Sequence, residues 1–383
     1  MSAAWAKARL GDVLRLDLEK VFIDAATTYP MVGVLSFGRG LFEREPIENG
    51  QTSYRLFHRL KPDHVVMSQL FGWEGALALS SEKYAGKYLS PQFPTFLCDE
   101  AKLDRSFLGW LMRRPVFWEE LGTRTSGMGD RRRTLNPEAL FACEIPLPPL
   151  AEQQRIVAQI EEIDAKIQEA RALRRQVAEE VEALCRSLIT NDKGADLVPM
   201  RDLVNLRPPD VAVRADEIYQ FAGVYCFGRG VFRASQKTGM EFAYPRLTRL
   251  RAGNFVYPKL MAWEGAFGVV PPECNGCVVS TEFPVFEIAE ERVLPEVLDT
   301  YFRMPSIWPA ISGASTGTNV RRRRLNPQDF LSYKLPLPSR ATQELLRKIR
   351  LETVSLNRLQ TETATELDAL LPAILDRAFK GAL

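Results

Sequence analysis

The sequence is poor in the residues on which most catalytic and metal sites depend. Its 383 residues include only two histidines, His58 and His64, and both lie in the first half of the chain. A histidine-based triad or metal cluster shared by both halves is therefore excluded. No Gly-rich strand-to-helix turn for a nucleotide cofactor is visible. Asn136-Pro-Glu and Asn326-Pro-Gln stop short of the Asn-Pro-Pro-aromatic tetrad of amino-methyltransferases. These absences favour a protein that is not an enzyme and carries no cofactor of its own.

The cysteines and the lack of long apolar runs indicate the cellular compartment. Six cysteines sit at positions that do not repeat between the halves, and we interpret them as reduced. Cys274-Asn-Gly-Cys277 has the spacing of metal ligands, but no second pair accompanies it, which favours a simple turn. No apolar run approaches the roughly 20 residues of a membrane helix, and MSAAWAKARLGDVLRLD lacks the apolar core of a signal peptide. The sequence predicts a cytoplasmic location.

What the sequence does contain is a repeat. The tetrapeptide Trp-Glu-Gly-Ala occurs at Trp73 and again at Trp263, an offset of 190 positions. A unit of this length can fold a core of its own, unlike the short units of a solenoid. The chain is therefore interpreted as a tandem duplication. The same offset relates Phe37-Gly-Arg-Gly to Phe227-Gly-Arg-Gly, Arg131-Arg-Arg to Arg321-Arg-Arg, Leu135-Asn-Pro to Leu325-Asn-Pro, and Pro146-Leu-Pro to Pro336-Leu-Pro.

Each half divides into a mixed domain and a helix. Residues 1–147 and 191–337 combine strand-like segments such as GVYCFGRGVF with helical segments interrupted by proline, such as LDRSFLGWLMRRPVFWEEL. We expect an α/β (α+β) fold in each, with a curved antiparallel sheet. Residues 148–190 and 338–383 are predicted to be long helices, because 150–190 contains neither Gly nor Pro.

The two long helices carry apolar stripes that need partners. We expect them to pack together as an antiparallel coiled coil, with Pro372 kinking or ending the second helix. The alternative is that each helix packs on its own domain. The paired arrangement relates the two domains by an approximate two-fold axis, which suits duplex DNA with paired half-sites. The predicted packing residues are Ile156, Ile160, Ile163 and Ile167 on the first helix, and Leu346, Ile349, Leu356 and Leu359 on the second.

Two Gly/Ser/Thr-rich loops that end in arginine runs are the main candidates for DNA contact. A net charge of +2 argues against a surface that is basic all over, but it leaves room for such local patches. Serine and threonine donate to phosphate oxygens, and arginine binds phosphates or guanine edges. A solvated surface or a partner-docking role is the alternative. The predicted contacts are Ser126, Arg131, Arg132 and Arg133 in the first loop, and Thr316, Thr318, Asn319, Arg321, Arg322, Arg323 and Arg324 in the second.

Four further residues at equivalent positions are predicted to touch DNA. The Phe-Gly-Arg-Gly turns present Arg39 and Arg229, and Gln69 and Lys259 precede Trp-Glu-Gly-Ala. Different polar side chains at one equivalent position suit two domains that read different bases; neutral surface drift is the alternative. We expect the tryptophans of this tetrapeptide in the core. Its two glutamates are expected in structural ion pairs, with acceptance from a cytosine amine as the alternative.

The quoted residues resemble a known family. The segments NFVYPKLMAWEGAFGVVPPECNGCVVSTEFPVF and IPLPPLAEQQRIVAQIEEID are similar to a target recognition domain and its junction into a spacer helix, in the specificity (S) subunit of type I restriction-modification systems. The resemblance covers the whole chain: domain, helix, domain, helix. The second junction, from Pro336 to Gln343, keeps only part of the pattern.

The resemblance implies a non-catalytic, DNA-binding subunit in phage defence. Each domain would read one half of a bipartite site on double-stranded DNA, and the helices would set the spacing between the halves. Two methyltransferase (M) subunits would dock on it and carry S-adenosylmethionine, and a restriction (R) motor subunit would join through them. Three alternatives stay open: the specificity subunit of a related methylation or phage-defence complex, a stand-alone two-headed DNA-binding regulator, and an assembly scaffold.

Overall fold

The computed structural model describes residues 5–24, 26–48, 52–125, 133–192, 195–313 and 324–382. The chain forms two compact units. Unit 1 comprises Met1–Arg171 together with Glu362–Leu383, and unit 2 comprises Ala172–Thr361. Each unit therefore consists of one mixed domain, part of the helix that follows it, and part of the helix that follows the other domain.

The strands and helices follow one order in both units, as the offset of 190 predicts. The domain of unit 1 contains β1 (Lys7–Arg9), β2 (Leu14–Leu16), β3 (Glu19–Phe22), β4 (Tyr29–Val34), β5 (Leu41–Ile47), β6 (Leu56–Arg59), β7 (Val65–Met67), β8 (Leu77–Leu79), β9 (Tyr88–Leu89), β10 (Thr95–Cys98), α1 (Arg105–Leu111), α2 (Pro115–Gly122), α3 (Pro137–Phe141) and β11 (Glu144–Pro146), followed by the long helix α4 (Leu150–Thr190).

The domain of unit 2 repeats this series. It contains β12 (Asp196–Pro199), β13 (Val204–Leu206), β14 (Val211–Ala212), β15 (Ile218–Tyr225), β16 (Gly230–Thr238), β17 (Arg246–Arg249), β18 (Phe255–Val256), β19 (Gly268–Val269), β20 (Val278–Ser280), β21 (Val285–Ile288), α5 (Pro295–Phe302), α6 (Trp308–Gly313), α7 (Pro327–Ser332) and β22 (Lys334–Leu337), followed by the long helix α8 (Arg340–Ala378).

The sheets of the two units have the same topology. In unit 1 the strand orders are β1-β11, β2-β10-β7-β8 and β3-β6-β9-β4-β5, and unit 2 repeats them with β12-β22, β13-β21-β18-β19 and β14-β17-β20-β15-β16. Most pairs are antiparallel, but β4 pairs with β9 in parallel, and so does β15 with β20. The predicted mixed α/β fold is confirmed, although three small sheets replace the single curved sheet that we expected.

The core of unit 1 is completed by both long helices. Ile156 and Ile160 of α4 are buried in the same cluster as Phe107 of α1 and Leu375 of α8. Because an early residue of α4 meets a late residue of α8, the two helical segments run antiparallel within this unit. The Arg171 guanidinium also donates to the Asp368 carboxylate at 2.6 Å. Helix packing on the domain and helix packing on the other helix thus occur together.

Unit 2 is built in the same way from the opposite ends of the helices. Cys185 and Ile189 of α4 share one buried cluster with Leu346 of α8 and Phe330 of α7. The guanidinium of Arg350 also donates to the Glu182 carboxylate. Burial raises the pKa of the Cys185 thiol, so this cysteine is a neutral packing residue.

The predicted packing residues of α4 lie inward, but two of those on α8 do not. Ile156, Ile160 and Ile167 are buried and Ile163 is half-buried, while on α8 Leu346 is buried and Ile349 half-buried. Leu356 and Leu359 are 38% and 54% exposed, and their role in helix packing or in contact with a partner stays a prediction. Thr353 and Gln360 of the same stretch are half-buried. Leu356 lies three residues from Thr353 and four from Gln360, near the same face of the helix, whereas Leu359 is offset from Gln360 by one residue, about 100° around the helix.

Proline 372 does not end the second helix. Helix α8 continues from Arg340 to Ala378 with Pro372 inside it. Proline removes one backbone donor from the hydrogen-bond ladder. Packing compensates here, because Leu371, Ile374 and Leu375 beside it contact the core of unit 1. The expectation that the helix would end there is wrong.

A buried glutamine fixes the start of each long helix. Gln153 is fully buried; its amide donates to the carbonyls of Lys102 and Pro148 at 2.9 and 2.8 Å, and its oxygen accepts from the Asp104 N–H at 2.8 Å. Gln343 does the same in unit 2: its amide donates to the Pro338 carbonyl, and its oxygen accepts from a backbone N–H. The second junction therefore keeps the glutamine that fixes the start of the helix.

Candidate nucleic-acid interface

The two motifs that recur most clearly are bonded to each other in each unit. In unit 1 the backbone N–H groups of Phe37 and Gly38 donate to the carbonyls of Glu74 and Gly75, at 2.8 and 2.9 Å. In unit 2 the corresponding bonds measure 2.8 and 3.0 Å. The Phe-Gly-Arg-Gly turn and the Trp-Glu-Gly-Ala turn therefore form one module, which we call the double turn.

A tryptophan and a glycine explain why the double turn tolerates little change. Gly75 has φ +78°, and a Cβ there would lie 2.4 Å from the Trp118 ring. Gly265, with φ +75°, faces Trp308 in the same way at 2.2 Å. Only glycine combines this backbone conformation with so close an approach. The indole N–H of Trp118 donates to the Met112 carbonyl at 2.5 Å, which fixes the ring.

The double turn presents an exposed aromatic ring and an exposed guanidinium. Phe37 and Phe227 have φ +63° and +62°, an unusual backbone region for a bulky residue, and are 60% and 64% exposed. Arg39 donates to the Ser36 carbonyl at 3.0 Å, and Arg229 donates to the Cys226 carbonyl at 3.3 Å. Both side chains are exposed. The structure thus places both predicted arginines on the surface, in equivalent surroundings.

The repeated tryptophans are not where the sequence suggested. Trp73 and Trp263 are half-buried rather than in the core, and the Arg133 guanidinium lies 5.3 Å from the Trp73 ring. Most arginines of the adjacent loops lie outside the described residues, so the structural ion pairs expected for Glu74 and Glu264 stay a prediction.

The two glutamates accept from neutral side chains. Glu74 accepts from the Ser36 hydroxyl at 3.4 Å, and Glu264 accepts from the Cys226 thiol. Burial, helped by the Glu264 carboxylate, raises the pKa of Cys226 to about 11. This thiol is therefore neutral at physiological pH and serves as a hydrogen-bond donor.

The end of each arginine-rich loop is held by one backbone bond next to the double turn. The Leu135 N–H donates to the Gln69 carbonyl at 2.8 Å, and the Leu325 N–H donates to the Lys259 carbonyl at 2.9 Å. The predicted polar residues before Trp-Glu-Gly-Ala are thus the anchor points of the loops. The structure brings Gln69 close to the end of the first loop and Lys259 close to Arg324 at the end of the second.

In unit 2 this anchor point carries three charged side chains. Glu282 accepts from the Arg324 guanidinium, and the Lys259 ammonium lies 3.8 Å from its other oxygen. The Lys259 ammonium also donates to the Thr281 carbonyl at 2.8 Å. We call Lys259, Glu282 and Arg324 the charged triad. Sequence reasoning missed Glu282; aligning the repeats would have revealed it, since the equivalent residue is Gln92.

In unit 1 the equivalent positions are all neutral. Gln69, Gln92 and Thr134 replace the charged triad, and the Gln69 N–H donates to the Gln92 carbonyl at 2.9 Å. The backbone arrangement is therefore the same in both units, because the Lys259 N–H likewise donates to the Glu282 carbonyl at 2.9 Å.

Most residues of the arginine-rich loops lie outside the described residues. Arg133 and Arg324 are the members of the predicted loop contacts whose surroundings are known. The predicted contacts outside the described ranges are Ser126, Arg131, Arg132, Thr316, Thr318, Asn319, Arg321, Arg322 and Arg323.

Metal-binding clusters and membrane-spanning helices would indicate other classes of protein. Across the ranges that the structure describes, no group of three His, Cys, Asp or Glu side chains could hold a metal ion. Cys274 and Cys277, which have metal-ligand spacing, are buried together in an apolar cluster with Val279. None of the described helices is long and apolar enough to cross a bilayer.

Comparison with known proteins finds likeness in structure. No protein-family model and no curated protein matches the chain. The fold is similar to that of the HsdS subunit from Thermoanaerobacter tengcongensis, with 22% identity and a TM-score of 0.57 over 99% of this chain and 97% of that one. It is also similar to a chain from a structure of the type I R-M system, with 21% identity and a TM-score of 0.65 over 99% and 98%.

These comparisons define a class of fold. One of the similar structures is an HsdS subunit, and the other belongs to a type I R-M system. At such identities the likeness concerns the fold, two mixed α/β domains with long helices. The chain therefore has the fold of a type I specificity subunit, as the resemblance in its motifs predicts.

Proposed function

We propose that this protein is the DNA-binding specificity subunit of a type I restriction-modification complex. Each unit reads one half of a bipartite site on double-stranded DNA. The observation that carries the proposal is the duplicated double turn, which sits beside an arginine-rich loop in each unit. A recognition surface present twice in one chain matches a site with two halves.

Charge and hydrogen-bonding capacity support DNA as the ligand. Arg39 and Arg229 keep guanidinium donors at the surface, and the loops add Arg131–Arg133 and Arg321–Arg324 by sequence. Phosphate contacts from such residues position a protein on DNA, while a few side chains at base edges supply specificity. The anchor points of the loops, Gln69 and Lys259, carry the polar side chains suited to that second task.

The long helices are proposed to set the spacing and to bind partners. Helices α4 and α8 contribute residues to both units, which supports a role for their length in setting the gap between the two half-sites. The middle segments expose a set of apolar side chains that a partner subunit would cover. These are Leu173 and Val177 on α4, and Leu351, Val354, Leu356 and Leu359 on α8.

We assign the catalytic activity to the partner subunits. Two methyltransferase subunits would bring S-adenosylmethionine and methylate the DNA, and a restriction subunit would join through them. The chain itself would supply recognition and geometry, in the cytoplasm, as part of phage defence.

The proposal is tested by mapping methylated adenines across the genome of a host with and without this gene. The expected result is a gapped two-part motif that is methylated only when the gene is present. An unchanged methylation pattern, combined with tight sequence-specific DNA binding by the purified chain alone, would instead identify a stand-alone regulator.

A further inference from the structure

The anchor points of the two loops share the same backbone hydrogen bonds but carry different side chains in the two units. In each unit one backbone bond holds the end of the loop, to the carbonyl of Gln69 in unit 1 and of Lys259 in unit 2, and the N–H of the same residue donates to the carbonyl of Gln92 or Glu282. The side chains at this place are nevertheless charged in unit 2 and neutral in unit 1. The fold of the loop end thus does not require the charged triad, because unit 1 achieves it without one.

Two side chains of the charged triad are accessible and the third is partly so. The side chain of Arg324 is 42% exposed and that of Glu282 is 35% exposed, while that of Lys259 is 20% exposed. Lys259 lines a cleft of about 300 Å³ together with Arg207 and Thr248. Ion pairs with this exposure contribute little to stability. A ligand that contacts the charged triad explains the presence of these side chains better than a gain in stability does.

The surroundings of the two anchor points also differ in charge. Arg207, at the cleft of unit 2, corresponds to Asp17 in unit 1, and Thr248 corresponds to His58. Asp17 accepts from the His64 ring at 2.9 Å and is acidic, with a pKa below its ordinary value because of that bond. Equivalent places in the two units therefore carry charges of opposite sign, each ion-paired within its own unit: Arg207 with Asp210 at 2.9 Å, and Asp17 with Lys61 at 3.3 Å.

We propose that these three positions discriminate base pairs, and that the two half-sites differ in sequence. This inference rests on the proposed function. Arginine or lysine recognises the O6 and N7 acceptors of guanine, and glutamate accepts from the amine of cytosine. Lys259, Glu282 and Arg324 together match a G·C pair. Glutamine recognises the N6 and N7 groups of adenine, so Gln69 and Gln92 match an A·T pair in the other half-site.

The experiment exchanges the three side chains between the units. The variant Gln69→Lys, Gln92→Glu, Thr134→Arg gives unit 1 the charged triad, and Lys259→Gln, Glu282→Gln, Arg324→Thr does the reverse. Methylated motifs are mapped in hosts that carry each variant. Each exchange is expected to change one base pair of one half-site, with a change in preference of about tenfold or more. The other half-site and the gap are expected to stay as they were.

The control for the unit 1 exchange carries the same change in net charge elsewhere. The variant Ala101→Lys adds one positive charge at an exposed residue of the turn between β10 and α1, beside the start of α4. It is expected to leave the motif unchanged. A motif that is the same in the exchange variants and in the wild type would overturn the proposal.

The wild-type motif provides a second test that does not depend on the variants folding. Two identical half-sites, or a unit 2 half-site without a G·C pair, overturn the inference even if every variant is inactive. The milder variant Glu282→Gln keeps the shape of the side chain and is expected to weaken the preference at one base pair of the second half-site. If the wild-type protein produces no gapped motif, the proposed function itself has failed. A gapped motif unaffected by the exchanges refutes only the role of the triad.

Discussion

At the scale of single residues, the buried polar side chains stabilise the fold more than the exposed charges do. Gln153 and Gln343 each satisfy several backbone groups at the point where a domain meets its helix. An unsatisfied buried backbone group costs about 1–3 kcal/mol. The glutamines therefore fix the direction in which the long helices leave the domains.

Replacing Gln153 by alanine is expected to lower the free energy of unfolding by about 2–3 kcal/mol, because the Asp104 N–H and the Pro148 carbonyl lose their partner. Denaturant unfolding followed by circular dichroism measures the loss. Gln154→Ala, at the exposed neighbouring position, is the matched control and should have almost no effect. Equal stabilities of the two variants would show that the buried bonds are unimportant.

Acidification is expected to loosen unit 1 before unit 2. Burial lowers the pKa of His58, so its folded pKa lies below the unfolded value of about 6.5. The contribution of His58 to stability is therefore complete above pH of about 6.5 and is lost as the pH falls towards its folded pKa. Unit 2 has Thr248 at this position.

Amide hydrogen exchange at pH 7.5 and 5.5 checks this expectation. Strand β6 of unit 1 should lose more protection than strand β17 of unit 2, and His58→Thr should remove much of the difference. The same response of β6 and β17 in the wild-type protein would contradict the assignment.

The arginine run of unit 2 is expected to bind DNA, with Arg321–Arg323 at phosphates and Arg324 at the base pair proposed above. Replacing Arg321–Arg324 by alanine should weaken DNA binding by the assembled complex. It should also reduce the slope of log affinity against log salt concentration by roughly one for each phosphate that these arginines neutralise. Fluorescence anisotropy across a salt series measures the slope. Arg186→Ala, at an exposed position of α4, is the control. An unchanged slope in the fourfold variant would show that these residues do not bind phosphates.

At the scale of elements, helices were easier to predict than their contacts. The absence of glycine and proline from 150 to 190 predicted α4 closely, and the segment around Arg114 divided at its proline as expected. Leu356 and Leu359 are exposed on α8 while polar Thr353 and Gln360 are half-buried, so the apolar pattern alone did not separate covered from exposed positions. The neutral contacts of the two glutamates of the double turn, with Ser36 and Cys226, could not be predicted from the motif, because these contacts join parts of the chain that are distant in sequence.

The exposed apolar residues of α8 are expected to bind a partner subunit. Leu351 and Val354 are 60% and 67% exposed and lie three residues apart, on the same face of the helix. Replacing both by glutamate should weaken co-purification with the methyltransferase subunit at least tenfold, because a partner would have to bury two charges. The circular dichroism spectrum should not change.

The control for this variant adds a charge to a helix surface without removing apolar area. Ala165→Glu lies at an exposed position of α4 and should leave the association intact. Normal co-purification of the Leu351/Val354 variant would place the methyltransferase elsewhere on the protein.

At the scale of the whole molecule, the repeat contains most of the functional information. The offset of 190 predicted two similar units, and the structure repeats both the strand order and the double turn in each. The difference between the units could not be read from the repeated motifs, because it lies at positions that do not match: Gln69 against Lys259 and Gln92 against Glu282. If the two units recognise different bases, the side chains responsible must be ones that differ between the two repeats.

The most direct measurement of the central claim, two reading units spaced by helices, is the methylation motif of a lengthened protein. Four helix-forming residues are inserted between Arg171 and Ala172 of α4, and four between Thr361 and Glu362 of α8. These points are the boundaries of the two units, so each unit stays intact. The insertions add about 6 Å to each helix, or one to two base pairs at 3.4 Å each. The predicted result is a motif with both half-sites unchanged and a gap longer by that amount. Methylation of the original motif, with its original gap, would contradict the account.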